Sequence, residues 1–144
     1  MERAHDRRGI RGVQRGQAVR LLLDTCAVLW AADQPELLSA EVRRRLESGE
    51  RPLVSVASLW EISIKIQKGK LTMSQPAATL AKMIADLDAD LVPVRMEHAL
   101  GLLKLQPHHK DPFDRILVAT AVAESAAIAT PDEDIRAYPV DVVW

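Results

Sequence analysis

The feature that most restricts the fold of this chain is a set of short, apolar runs separated by segments of helical spacing. Leu21-Leu22-Leu23, Leu53-Val54 with Val56, Leu91–Val94 and Ala127–Ala129 are each too short for a helix, and none alternates apolar with polar residues in the manner of a half-exposed strand. They read as strands buried on both faces, and Val140–Val143 reads as a last one. Between them, helices are expected over Ala27–Ala32, Ala40–Ser48, Ala57–Lys68, Pro76–Asp88, Glu97–Leu105 and Phe113–Ser125. Ser39 is the expected N-cap of the second, while Gly49 and Gly69 stop the second and third. Leu59, Ile62 and Ile66 carry the helical period of the third. Strands that alternate with helices imply βαβ crossovers, and hence an α/β fold whose mainly parallel sheet is covered on both sides.

Composition narrows the function. At 144 residues the chain holds one core and not two, and 48% hydrophobic with 27% charged residues excludes disorder as its main state. The longest uncharged apolar stretch of the C-terminal half, Ile116 to Ala123, falls far short of a membrane span. Cys26 is the single cysteine, which rules out an internal disulfide and suits a reducing, cytoplasmic setting. With 19 Lys+Arg against 20 Asp+Glu, the net charge of −1 excludes a uniformly basic nucleic-acid binder. The charge is uneven, however: residues 1–20 carry six arginines against Glu2 and Asp6. Residues 1–19 show no periodicity and no signal-peptide core, and read as a basic, disordered extension ahead of a domain spanning 20–144; a nucleic-acid-binding arm is the alternative.

In a parallel sheet, ligands gather beyond the carboxyl ends of the strands. Four acids follow strands or begin helices there: Asp24, Glu61, Asp114 and Asp132. Each also satisfies a local rule. Asp24 suits an N-cap, and Ser58 with Glu61 suits a capping box, with Lys65 an i,i+4 partner for Glu61. Asp111-Pro112-Phe113-Asp114 suits an N-cap, a proline at N1 and an acid at N3. Thr130-Pro131-Asp132-Glu133 fits a capping box with Glu133 as its acid, which leaves Asp132 without a capping task. His108-His109 reads as a solvated loop, with metal ligation the alternative, Cys26 as a small core residue, and Trp30 and Trp60 as core or interface residues.

Taken together, these segments resemble a known family. Leu21-Leu-Leu-Asp24-Thr-Cys-Ala-Val-Leu-Trp30, Ser58-Leu-Trp-Glu61-Ile, His109-Lys-Asp-Pro-Phe-Asp114-Arg-Ile-Leu-Val-Ala, Thr130-Pro-Asp132 and the ending Tyr138-Pro-Val-Asp-Val-Val-Trp144 resemble PIN domains, in the branch that contains VapC-like toxins. The resemblance spans residues 20–144 in order, and the Asp-Pro-Phe-Asp-Arg segment is its most diagnostic part. It implies an α/β/α sandwich with a five-stranded, mainly parallel sheet. It also implies an acidic pocket for Mg2+ or Mn2+, ribonuclease activity, a cognate VapB-type antitoxin and a homodimer. By motif match the pocket acids are Asp24, Glu61, Asp114 and Asp132, with Asp134 a rival for the last place. The chain departs from the pattern in its basic extension, which precedes the usual start and makes Val19 a natural alternative, and in Ile135, where an aromatic is common.

The chemistry is consistent with that reading. Two carboxylates about 5 Å apart repel by roughly 3 kcal/mol at an effective dielectric near 20, so converging acids take up protons or a cation. Oxygen ligands without clustered Cys or His favour Mg2+ or Mn2+ over zinc. Asp24 and Asp114 are expected to bind the principal ion and Glu61 and Asp132 to complete the site, with Thr25 and Thr130 near bound water. Arg115, Lys110 and Lys65 are the expected RNA contacts. Two other functions compete: a non-catalytic PIN-fold binding module, and an aspartyl-nucleophile phosphotransfer enzyme. The second wants another Asp two residues beyond Asp24, where Cys26 stands.

Overall fold

The structure is a computed structural model in which residues 19–144 are described; the basic segment, apart from its last residue, lies outside them. Five strands, β1 (Leu21–Leu23), β2 (Leu53–Ser55), β3 (Asp90–Val92), β4 (Ala127–Ala129) and β5 (Val142–Val143), form one sheet in the order β3-β2-β1-β4-β5. Every pairing is parallel, with Leu22 opposite both Leu53 and Ile128. The helices are α1 (Thr25–Asp33), α2 (Ala40–Glu47), α3 (Val56–Gln67), α4 (Pro76–Leu87), α5 (Met96–Gly101) and α6 (Pro112–Glu124).

The apolar runs are continuous because both faces of the sheet are covered. Leu21, Leu23, Val54, Ala127 and Ala129 pack with Val28 of α1, Val42 of α2 and Met83 of α4. Leu22, Leu53 and Ile128 point the other way, onto Leu117, Val118 and Ala121 of α6 and onto Ile135 and Tyr138. The α/β/α sandwich with an all-parallel sheet is therefore present. In the order 3-2-1-4-5 the chain leaves β1 toward one edge and returns at β4 to build the other, so the topological switch point lies between β1 and β4.

Several boundaries differ from the sequence-based expectation, each for a local reason. Val56 is helical and not part of β2, because Ser55 is the N-cap of α3 and its hydroxyl accepts from the Ala57 N–H. Ser58 therefore lies inside the helix and forms no capping box with Glu61. β3 stops at Val92 because Pro93 has no N–H to extend a ladder. The helix expected over Glu97–Leu105 ends at Gly101 and continues as a 3-10 turn over Leu102–Lys104. After β4, Asp132 itself caps a 3-10 turn over Glu133–Ala137, its side chain accepting from the Asp134 N–H; Glu133 does not take the capping role. Ser39 caps α2 as expected, and the stops at Gly49 and Gly69 have positive φ, 93° and 73°.

Candidate active site

The acids meet at the switch point. Asp24 leaves β1 with extended backbone, its N–H bonded to the Ala129 carbonyl of β4, and its Oδ1 accepts from the Ala27 N–H at 2.7 Å. Capping and site-facing roles thus coexist in Asp24. Glu61, in the second turn of α3, is 8% exposed; the Thr25 hydroxyl donates to its Oε1 at 2.6 Å and Lys65 Nζ lies 3.3 Å from its Oε2. Asp114 is in the first turn of α6, behind the Asp111 N-cap and Pro112. Asp132 follows β4, its N–H donating to Thr130 Oγ1. All four line one cleft of about 340 Å³, together with Thr25, Cys26, Lys65 and Asp111. A slightly larger hollow of about 390 Å³ beside Leu29, Trp30, Met73 and Met83 has only Asp33 as an acid. Converging chemistry, and not volume, singles out the acidic cleft.

The electrostatics are those of acids crowded in a partly buried cleft. Burial raises the Asp24 carboxyl above its ordinary value; the Thr130 and Ala27 hydrogen bonds work against that rise, and the charges of Glu61 and Asp132 add to it. Asp114 is pushed up to about 7 by burial and by Asp111, with Glu61 and Asp24 contributing and His109 opposing. Burial and the Asp24 charge also push the Cys26 thiol up to about 11, so Cys26 is a half-buried wall of the cleft and no nucleophile at neutral pH. Carboxylates held this close without enough positive charge are what a hard divalent ion would satisfy. The oxygen-rich lining of Asp24, Glu61, Asp114 and Asp132 fits such an ion, and the ligand atoms of Asp114, Asp132 and His109 lie within 4.8 Å of one another.

Two sequence readings change at the site and two are narrowed. His109 is not a solvated loop residue: its Nε2 lies 2.8 Å from Asp132 Oδ2 and 3.1 Å from Asp114 Oδ2. Burial alone would lower its pKa, but the Asp132 hydrogen bond and the charges of Asp114, Asp132 and Asp111 outweigh that and raise it. The signal for this residue was its place two positions before the helix cap, from which its Nδ1 accepts the Asp111 N–H at 3.1 Å. Arg115 is spent on structure, donating to the Gln106 and Leu102 carbonyls and the Tyr138 hydroxyl, and so is not free for RNA. Asp134 is exposed and does not line the cleft. Trp60 is 62% exposed, its ring edge-on to Phe113 at 5.1 Å, so of core or interface only the second fits it.

Among the described residues a second group, Glu97, His98 and Glu124, has the spacing of a metal site. It is an internal ion-pair cluster: Glu124 Oε2 takes Arg95 Nη1 at 2.8 Å and His98 Nε2 at 3.0 Å. Glu124 closes α6 at the end remote from Asp114.

Fold and cleft together define a protein whose parallel sheet carries an acidic crevice at its switch point. The PIN domain family model matches residues 21–141, and the chain belongs to that family. Among curated proteins it is similar to Ribonuclease VapC22 of Mycobacterium tuberculosis, 22% identical over 120 residues that make up 82% of this chain and 91% of that one. Among solved structures it is similar to VapBC2 of Rickettsia felis bound to a promoter DNA fragment, with TM-score 0.65, 14% identity, and 85% of this chain and 96% of that chain covered. FitAcB of Neisseria gonorrhoeae matches with TM-score 0.60, 19% identity, and coverage of 86% and 96%. No helix among the described residues is long and apolar enough to cross a membrane.

Proposed function

We propose that this chain is a Mg2+- or Mn2+-dependent endoribonuclease that acts as the toxin of a toxin–antitoxin pair. The observation that carries the reading is the meeting of Asp24, Glu61, Asp114 and Asp132 in one cleft, with the Asp24 and Asp114 carboxyls raised in pKa by burial and by the charges of neighbouring acids. Asp24 and Asp114 are the principal ligands. Glu61, oriented by the Thr25 hydroxyl, and Asp132, held by His109, complete the site. A divalent ion held there supplies acidification of a water molecule and charge neutralisation at a phosphodiester. The chain's own residues do the rest: Lys65 at the cleft wall draws in the phosphate backbone, and Thr25 fixes the Glu61 carboxylate against rotation.

The toxin role rests on the likeness to a VapC ribonuclease and to VapBC and FitAB-type complexes. The partner is a VapB-type antitoxin, for which the apolar hollow beside Trp30 offers a seat; a homodimer and a cytoplasmic location complete the picture. The test is cleavage of total RNA by purified protein with Mg2+, with EDTA, and with Asp24→Asn. Activity that needs Mg2+ and falls at least about a hundredfold in Asp24→Asn supports the reading; equal cleavage in all three removes it.

A further inference from the structure

We infer that His109 is the positioning residue of the acidic cleft: its Nε2–H is hydrogen-bonded to Asp132 and stands 3.1 Å from the Asp114 carboxylate, which sets the two acids side by side for one divalent ion. The inference rests on the metal-site reading above and adds a residue outside the four acids. Its basis is the assignment of both ring nitrogens. Nδ1 accepts the Asp111 N–H at 3.1 Å, so the ring's proton in the neutral form sits on Nε2. A doubly protonated ring could not accept that N–H, so the Nδ1 contact belongs to the neutral form. With its lone pair unavailable, Nε2 is a donor to the carboxylates and not a ligand to the ion, although the His109, Asp114 and Asp132 ligand atoms lie within 4.8 Å of one another.

The loop that carries the ring is itself fixed. The His109 N–H donates to the Tyr138 hydroxyl at 2.8 Å, and Arg115 donates to the same oxygen at 3.1 Å. Tyr138 is buried against the sheet, so the imidazole is tied to the core through one phenol. Asp132 is thereby held at both oxygens, by Asp134 N–H at Oδ1 and by His109 at Oδ2. One Asp114 oxygen lies 3.1 Å from Nε2, and each carboxylate oxygen has a second lone pair for a cation.

The test uses the full chain and Mn2+ as the probe. Calorimetric titration compares wild type, His109→Ala and His109→Gln; the glutamine amide can place an N–H where Nε2 stood. The expected result is Mn2+ binding weakened tenfold or more in the alanine variant and restored to within about threefold in the glutamine variant, the range that loss of a supporting hydrogen bond to a ligand produces. Should the alanine variant not fold, His109→Leu replaces it. In EDTA, nitrogen NMR of labelled histidine should report the proton on Nε2 and an acceptor Nδ1. Equal or tighter Mn2+ binding by His109→Ala overturns the inference, as does equal weakening in both variants or a proton found on Nδ1 in a neutral ring. A wild-type protein that takes up no Mn2+ overturns the metal-site reading itself, a result distinct from all of these.

Discussion

Asp114 links the cleft to stability. Its carboxyl is raised from 3.8 to about 7 in the folded chain, burial being the largest cause, so the folded state holds that proton more tightly than the unfolded state does. Stability gained in this way is complete below about pH 4 and is lost as pH rises toward 7, at no more than ~1.4 kcal/mol per pH unit. Chemical denaturation in EDTA should therefore show wild type losing stability relative to Asp114→Asn across that window; parallel curves would show that the carboxyl is not perturbed. The four acids were legible in the sequence because each sits beside a strand end or helix start in a recognisable motif. His109 was not, because a histidine pair next to proline looks solvated until Tyr138, from 29 residues further on, closes over the loop.

At the level of elements, the periodic segments announced themselves and their ends did not. α6 was readable from its Asp-Pro start, whereas Ser55 and Ser58 are equivalent caps on paper. What separates them is the length of β2: its ladder to β3 extends through Ser55, and the helix begins at the next residue. The junction of α5 with α6 was invisible to sequence because its partners are 26 to 29 residues apart. There His98, fully buried, accepts the Arg95 N–H at Nδ1 and meets Glu124 at Nε2, so that one carboxylate ties two helices. Glu124→Ala leaves His98 and Arg95 without that acceptor and should cost roughly 1–3 kcal/mol in urea unfolding. Mn2+ affinity should be unchanged, since the remote end of α6 does not touch the cleft; a loss of affinity matching that of a cleft variant would show that the two ends of α6 are coupled.

Across the whole molecule, function and stability oppose each other at the switch point. Asp24, which is buried, and Asp114, which is partly buried, both have raised pKa values, so their charged forms carry a penalty at neutral pH that a bound cation would relieve. Two outcomes follow for thermal melts at pH 7. Asp24→Asn should melt above wild type in EDTA, because a neutral amide removes the unbalanced charge. Saturating Mg2+ should raise wild type, by about 2.7 kcal/mol at a hundred times the dissociation constant, and leave the variant nearly unmoved. A variant that gains as much from Mg2+ as wild type would remove Asp24 from the ligand set.

The strand pairing of β1 with β4 sets Leu21 beside Ala127 and Leu23 beside Ala129. Neighbours in space are thus residues that leave the ribosome far apart in time, and no shorter stretch of chain can stand in for the missing strand. An unfinished polypeptide lacks the wall on which Thr130 and Asp132 are mounted, and with it part of the crevice. On the ribonuclease reading proposed above, the cleft is whole only once the ribosome has passed Asp132.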